Sequence, residues 1–394
     1  MQFRAVSLSK IVICIAVIFV GALLFVIPGP IRQRMDLFIL KVSDPQQTLF
    51  LGQALSVSDK NIQLNSVEQD TFSSELVNVS MWSGPDAGSV VSMNDYSVIS
   101  TDPDVREGIQ PGETLLVLPT GDAQAPYQVA DIFRIPAILF IVLIFIVFLA
   151  FVAGRRGLLS LVGLLMGFLV LLLFFVPRIL VGANVIMLTL ITAAVITLLS
   201  QCFAHGFNKI TSVAIAGTII SLVVAVFTST LFVWLSGLVG FDSSDTSVLK
   251  VFYGSVNFHD LLFAGIIIGV LGILDDIAIG QAVGIAEIAR AAPTLGIKEL
   301  YARGMNIGKQ HIASLVNTLV LAYVGAFLPV FLILVVNVGS IYPAGLLSAN
   351  NELVAEEVIR ALVGGITLML AVPITTFFAA YYCGRRSFTK PAGK

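Results

Sequence analysis

The sequence predicts an α-helical polytopic membrane protein with eight transmembrane helices and a small extracytoplasmic β-rich domain between helices 1 and 2. Three observations carry this prediction: an apolar composition, eight long apolar stretches, and basic residues concentrated on one side of those stretches. Hydrophobic residues make up 57% of the 394-residue chain and charged residues only 12%, with a mean hydropathy of +0.97. Since soluble proteins carry about 25% charged residues, this composition is typical of a membrane protein.

Composition also bears on partners and cofactors. The formal net charge is −2, so bulk charge indicates no nucleic-acid partner, and the lipid bilayer is the partner that we expect. Cys14, Cys202 and Cys383 lie in or beside apolar segments, with no CxxC pair and no His/Cys ligand spacing. The sequence therefore predicts neither a disulfide framework nor a zinc site, and no cofactor.

The apolar stretches give the membrane topology. A spanning helix needs about 20 predominantly apolar residues. Eight stretches meet this requirement, at about 11–27, 135–153, 157–176, 181–200, 212–238, 261–285, 312–337 and 358–383. Lys and Arg concentrate in alternate connections between them, a pattern that holds across all eight helices. The positive-inside rule then predicts a multi-pass protein with both termini in the cytoplasm.

The first apolar stretch fits either an anchor helix or a cleaved signal peptide. Arg4 and Lys10 could serve as the basic n-region of a signal peptide. However, the stretch continues to Ile27 and ends in Pro28-Gly29-Pro30, without a small-x-small cleavage site. We therefore expect residues 1–30 to form an N-terminal transmembrane anchor.

Residues 31–133 form the only long polar segment, which the topology places outside the membrane. They contain short alternating runs bounded by turn residues: LNSVEQDTF, ELVNVSMW, YSVIST and ETLLVLPT. Such spacing predicts a small β-barrel or sandwich, with Trp82, Tyr96 and Tyr127 as core residues. The segment contains no His and no catalytic constellation, so a cap or assembly domain is expected. Residues 134–385 would form a seven-helix, permease-like membrane domain and 386–394 a cytoplasmic tail.

Asp275 and Asp276 are the most informative residues in the chain, because they lie within the apolar run LLFAGIIIGVLGILDDIAIGQAVGIAE. A charge near the bilayer centre costs roughly 2.5–3.5 kcal/mol on insertion scales, whereas each Leu or Ile returns about half a kcal/mol. Two adjacent carboxylates in a low dielectric repel when both are ionised. The pair therefore suits cation binding or proton exchange.

The same helix carries a stripe of small residues. At 100° per residue, one face collects Gly265, Gly269, Gly272, Asp276, Gly280 and, three turns further, Glu287. Such a stripe is typical of a helix-packing face, and it predicts that Asp276 points into the bundle while Asp275 flanks the seam.

The length of this segment predicts a tilt or a break. As one helix, residues 261–287 would span about 40 Å, against a hydrocarbon core of about 30 Å. Gly280 and Gly284 are the natural break points, and discontinuous helices beside carboxylates form the ion sites of many transporters. Gln281, one turn below the aspartates, and Asn317 and Thr318 of the seventh helix could complete a site, with Asn317 the expected partner. Pro329 and Pro373 are predicted kink positions.

Two signatures carry a family resemblance. The run GVLGILDDIAIGQAVGIAEI and the later RGMNIGKQHIASLVNTLVLAYVGAFLP resemble the YibE/F family of bacterial integral membrane proteins, over roughly residues 130–382. The stretch IQPGETLLVLPTGDAQAPYQVADIFR is similar to the longer, YibE-like form. By motif match, the resemblance carries over a polar signature without assigning roles to its members: Asp275, Asp276, Gln281, Glu287, Asn317 and Thr318.

The resemblance implies a permease-like transporter in the bacterial cell membrane, and it names no substrate. Long and short family members are often encoded side by side. This arrangement implies a hetero-oligomer with a shorter member, and a homo-oligomer is the alternative expectation.

Three functional hypotheses follow. The first is a secondary or partner-driven transporter with an intramembrane Asp-Asp site for proton or cation coupling; a GxxxxGK[ST] motif is absent, so ATP would not power it directly. The second is a non-transporting scaffold or signalling subunit whose outer domain binds an envelope partner. The third is a Mg-dependent intramembrane enzyme, which the apolar neighbours of Asp275 and Asp276 disfavour. We therefore expect a protein that is not an enzyme.

Overall fold

The computed structural model describes residues 49–60, 74–95, 109–122, 125–240, 257–329, 332 and 350–389. The chain divides into two compact units, Pro28–Phe151 and Met1–Ile27 together with Val152–Lys394. The predicted first span, residues 11–27, lies outside the described residues, as does the chain beyond 389.

The described part of the β-rich domain contains five strands: Phe50–Lys60 (β1), Ser74–Met81 (β2), Val90–Asp95 (β3), Thr114–Pro119 (β4) and Tyr127–Ile132 (β5). They close into a barrel in the order β1-β2-β3-β5-β4, in which β3 and β5 pair in parallel and the other neighbours pair antiparallel. This is the strand order of the five-stranded OB-fold barrel. Of the two predicted β architectures, the structure has the barrel.

Alternating side chains build the barrel core, since successive strand residues point to opposite faces. The predicted runs ELVNVSMW and ETLLVLPT coincide with β2 and β4, where Val77, Val79, Leu115 and Val117 are fully buried. The runs LNSVEQDTF and YSVIST lie outside the described residues. In β2 and β4 the buried face is therefore the face that the alternation predicts.

Of the three aromatic residues predicted for this core, one is buried, one is exposed and one lies outside the described residues. Tyr127 is buried, and its hydroxyl donates a hydrogen bond to Asp86. Trp82 is 54% exposed, so its predicted core position is wrong. The reason is that β2 ends at Met81, which points inwards, and Trp82 begins the turn on the outside. Tyr96 lies outside the described residues.

The first helical stretch begins with Ile135–Val170 (α1) and continues through a π-helical turn, Leu171–Phe175, into Val176–Leu180 (α2). Helical geometry breaks at Gly154, whose φ of 58° and ψ of −144° suit a residue without Cβ. The predicted spans 135–153 and 157–176 thus lie on the two sides of this break.

Five further helices follow among the described residues: Val185–His205 (α3), Lys209–Ser236 (α4), Phe258–Ala291 (α5), Ile297–Ala326 (α6) and Glu352–Thr389 (α7). Asparagines fix the start of α3, α4 and α5, because the side chains of Asn184, Asn208 and Asn257 accept hydrogen bonds from backbone N–H groups of the first turn.

Five helical stretches of the described chain are long and apolar enough to cross a membrane: Ile135–Leu180, Val185–His205, Lys209–Ser236, Phe258–Ala291 and Glu352–Arg385. The prediction of a helical membrane protein is confirmed, whereas the number of eight spans is not. The predicted seventh span, 312–337, is only partly described. Most of its described part belongs to α6, which begins at Ile297 and carries Lys298, Arg303 and Lys309.

Helix α5 lies at the centre of the unit that contains Val152–Lys394, here called the membrane unit. It packs against α3, α4, α6 and α7. It runs unbroken for 34 residues, so of the two predicted alternatives, a tilt or a break, the break at Gly280 or Gly284 is not formed. Buried neighbours such as Ala282 and Ile285 continue the core past both glycines. A glycine inside a helix costs only about 1 kcal/mol, which this packing outweighs.

Candidate functional site

Asp275 lies on the buried face of α5, with only 8% of its surface exposed. Its Oδ1 accepts a hydrogen bond of 2.9 Å from Nε2 of Gln201 on α3. The same Nε2 donates to the hydroxyl of Thr218 on α4, at 3.1 Å. The hydroxyl groups of Thr197 and Ser200 also lie near this carboxylate. Three helices therefore meet at Asp275 through polar side chains.

The surroundings of Asp275 are polar and uncharged. Its hydrogen-bond donor is an amide, and none of the ion pairs among the described residues includes this carboxylate. Two oxygen atoms beside it, Oε1 of Gln201 and Oγ1 of Thr197, are buried with no hydrogen-bond partner in the described chain. A buried carboxylate without a counter-ion is costly, so this arrangement suits a bound proton or cation.

Asp276 has the opposite environment. It is exposed, on the same side of α5 as the exposed Gly265, Gly269 and Gly272. His205, the last residue of α3, is close enough to interact electrostatically with it. No described side chain forms a hydrogen bond with Asp276. The two carboxylates therefore lie on different sides of one helix turn, one inside the bundle and one on its open face.

These orientations are the reverse of the predicted ones. The prediction placed Asp276 inside the bundle and Asp275 beside the seam. In the structure, Asp275 shares its face with the buried Leu271, Leu274 and Ala278. Burying large apolar side chains contributes more free energy than burying glycines, so α5 turns this face inwards and the glycine stripe outwards.

No described helix backbone packs closely against the glycine stripe of α5. A Cβ added to Gly272 or Gly280 would meet no described atom within 4 Å. At Gly265 and Gly269 it would meet only side-chain ends, the Arg360 guanidinium at 3.9 Å and the Tyr323 hydroxyl at 3.2 Å. Among the described residues, the predicted packing role of Gly265, Gly269, Gly272 and Gly280 is not seen.

Close packing occurs at glycines on other helices. A Cβ on Gly308 of α6 would lie 2.3 Å from Cγ1 of Val372, and one on Gly304 would lie 2.8 Å from atoms of Ile285 and Thr376. Gly304 and Gly308 therefore let α6 approach α5 and α7, in the small-xxx-small spacing of membrane helix pairs.

Gln281 lies at this second junction. It is 2% exposed, and its Oε1 accepts a hydrogen bond of 3.3 Å from the hydroxyl of Thr376 on α7. Its Nε2 is buried without an acceptor among the described residues. Gln281 is thus a buried polar residue of α5, and its partner belongs to a different helix from the partners of Asp275.

The other three predicted residues lie apart from Asp275. Glu287 is exposed and forms an ion pair with Arg290 on its own helix. Thr318 donates to the carbonyl of Ser314 in α6, at 3.1 Å. Asn317 is exposed, and no described residue hydrogen bonds to it, so the expected Asn317–aspartate contact is not formed. Leu319 is the buried residue of this turn, and it turns Asn317 away from the core.

Gln201 and Thr218 are the site residues that the sequence-based prediction missed. An amide in the run TLLSQCFAH was the available signal, because a buried amide in an apolar helix needs a partner. The Glu357–Arg360 ion pair of α7, with side chains 5% and 22% exposed, was also missed. This pair lies at the start of the predicted span 358–383, and a charged pair at a helix start is expected at the surface.

The comparisons place the helical part of the chain in a family. No match was found among curated proteins or among solved structures. The profile of the YibE/F-like protein family matches residues 141–385, which include α3 to α6 and both aspartates. Since the match covers more than half of the chain, this protein belongs to the YibE/F-like family.

Proposed function

We propose that this protein is a membrane permease, a secondary or partner-driven transporter in which Asp275 and Asp276 couple substrate movement to a proton or cation. One observation supports the proposal most directly. Asp275 is a buried carboxylate whose partners are uncharged and which has no counter-ion in the described chain. Membrane proteins retain such groups at considerable cost, and ion and proton pathways are their usual locations.

The chemistry of the surrounding atoms favours a hard cation or a proton. The Asp275 carboxylate, Oε1 of Gln201 and Oγ1 of Thr197 are oxygen atoms, and the last two lack hydrogen-bond partners in the described chain. Oxygen ligands are those that hard cations prefer. A proton on the carboxyl group would remove the charge and would make the group a donor to one of these oxygens.

Asp276 supplies the exchange route in this proposal. It follows Asp275 directly and lies on the open face of α5, with the His205 ring within electrostatic reach. An ion at Asp275 would enter and leave through this exposed carboxylate. Asp275 would therefore hold the proton or cation, and Asp276 would pass it to and from the open face of α5.

The test is ion-driven proton movement in proteoliposomes. Purified protein is reconstituted with an internal pH-sensitive dye, and gradients of Na⁺, K⁺ or Li⁺ are imposed in turn. We expect proton flux for at least one gradient, reduced to the level of empty liposomes by Asp275→Asn and slowed by Asp276→Asn. Asp260→Asn, in the first turn of the same helix, is the matched control and should retain the flux. Absence of flux for every gradient, or undiminished flux in Asp275→Asn, would contradict the proposal.

A further inference from the structure

A groove of about 320 Å³ lies between the start of α4 and the end of α7. Its lining includes Lys209, Val213 and Ala216 of α4 and Phe378, Tyr381 and Tyr382 of α7. Ser212 of α4 also lines the groove, and its hydroxyl donates a hydrogen bond to the carbonyl of Asn208. Apart from this hydroxyl, Lys209 and the tyrosine hydroxyls, the lining groups are apolar. The groove is therefore mainly apolar, with the ammonium group of Lys209 at one end.

The groove is closed at depth by a helix contact. A Cβ on Gly217 would lie 2.5 Å from the Thr375 hydroxyl oxygen, so α4 and α7 are in close contact there. Between this contact and the level of Lys209 and Arg385, the two helices leave the groove open. Seven residues separate Lys209 from Ala216, which corresponds to about 10 Å along the helix. This depth suits a headgroup and the first methylene groups of an acyl chain.

Two basic residues lie at the open end, Lys209 in the lining and Arg385 beside Tyr381. Lys209 is the first residue of α4 and is exposed, with no ion pair to a described residue. Its charge adds to the positive end of the helix dipole. The Arg385 guanidinium lies over the ring of Tyr381, 5.3 Å from its centre.

We propose that this groove binds an anionic phospholipid. Lys209 and Arg385 would hold the phosphate, and Val213, Ala216 and Phe378 would contact the first part of an acyl chain. Tyr381 and Tyr382 have the amphipathic rings that are enriched at headgroup level. Basic pockets between transmembrane helices are typical sites for anionic headgroups on the side where basic residues accumulate. The proposal shares no residue with the Asp275 site and does not depend on transport.

The test is lipid binding to the purified full-length protein, measured by native mass spectrometry. Phosphatidylglycerol and phosphatidylcholine with identical acyl chains are the two probes. We expect preferential binding of phosphatidylglycerol, and loss of about fivefold in its affinity for each of Lys209→Gln and Arg385→Gln. The control removes the same charge from α6 with Lys298→Gln and Arg303→Gln, both exposed residues, and should leave the preference unchanged.

Two further measurements separate a lipid from a free anion. Ala216→Phe fills the groove without altering its charge, and it should weaken phosphatidylglycerol binding. An unchanged melting temperature would show that this variant is folded. Inorganic phosphate at millimolar concentration should not displace the lipid. Unchanged preference for phosphatidylglycerol in the Lys209→Gln/Arg385→Gln variant would overturn the proposal, as would displacement of the lipid by inorganic phosphate.

Discussion

At the scale of single residues, Gln201 connects Asp275 to two neighbouring helices. Its Nε2 reaches both the carboxylate and the Thr218 hydroxyl. Gln201→Leu would leave Asp275 buried without its amide donor. The free energy of unfolding should then fall by about 1–3 kcal/mol, measured by denaturant titration in detergent micelles.

The double variant Gln201→Leu/Asp275→Leu identifies the source of this loss. If the cost arises from the unpartnered carboxylate, removing both groups should cost less than the sum of the two single variants. Strictly additive costs would show that Gln201 and Asp275 contribute independently.

Tyr127 gives the barrel a dependence on alkaline pH. Its hydrogen bond to Asp86, together with burial and the nearby negative charge, raises the pKa of the phenol above its ordinary value of 10.0. The stabilisation is complete below the unfolded-state pKa, and it is lost as pH rises through the higher folded-state pKa.

We therefore expect the barrel to lose stability above about pH 10, with less pH dependence in Tyr127→Phe. The phenylalanine variant should also be less stable at neutral pH, by about 1 kcal/mol. The chain contains only two tryptophans, so Trp82 fluorescence in a Trp234→Phe background reports on the barrel alone. Identical alkaline transitions in both proteins would rule out the Tyr127 contribution.

At the scale of helices, glycines with different surroundings give a matched pair of variants. Gly308→Ala would place its Cβ 2.3 Å from Val372 and 2.9 Å from the Gln281 amide, whereas Gly280→Ala meets no described atom within 4 Å. We expect Gly308→Ala to destabilise the protein by about 1–3 kcal/mol through overpacking. Gly280→Ala should stabilise α5 by up to about 1 kcal/mol through helix propensity. Thermal unfolding of the two variants in the same detergent measures the difference, and equal melting temperatures would contradict the assigned packing.

The sequence predicts the extent of the helices better than their orientation. The predicted span 261–285 lies within Phe258–Ala291, and 212–238 nearly coincides with Lys209–Ser236. Length and hydropathy suffice for this, because every spanning helix must cover the same apolar thickness.

The orientation of Asp275 and Asp276 could not be obtained in the same way. Helix α5 is apolar on all sides, so its periodicity does not distinguish the protein-facing side from the lipid-facing side. The glycine stripe was the available signal, and it lies on the open side of the described bundle. Gln201, the partner of Asp275, is 74 residues away in the chain, and no local pattern in one sequence relates residues at that separation.

At the scale of the whole molecule, the family match covers helices and leaves out the barrel. Residues 141–385 match the family profile, whereas β1 to β5 end at Ile132. If the membrane unit moves ions, replacing residues 31–133 by a short Gly/Ser linker should leave ion-driven proton flux in proteoliposomes. If the protein is instead a scaffold that acts through its outer domain, the intact chain should show no proton flux in the same assay. Flux that disappears with the barrel would show that the helices do not suffice.

The central claim is that the buried Asp275 carboxyl group holds an exchangeable proton or cation. Labelling with dicyclohexylcarbodiimide tests it without knowledge of the substrate, because this apolar reagent modifies protonated carboxyl groups within membranes. Peptide mass spectrometry then gives the rate of modification at Asp275 in membranes that contain the full-length protein. We predict modification of Asp275 that slows as pH rises or as the coupling cation is added, with Asp275→Asn showing no modification at this position. An Asp275 that stays unmodified at every pH, or reacts at a rate independent of both pH and cations, would contradict the claim.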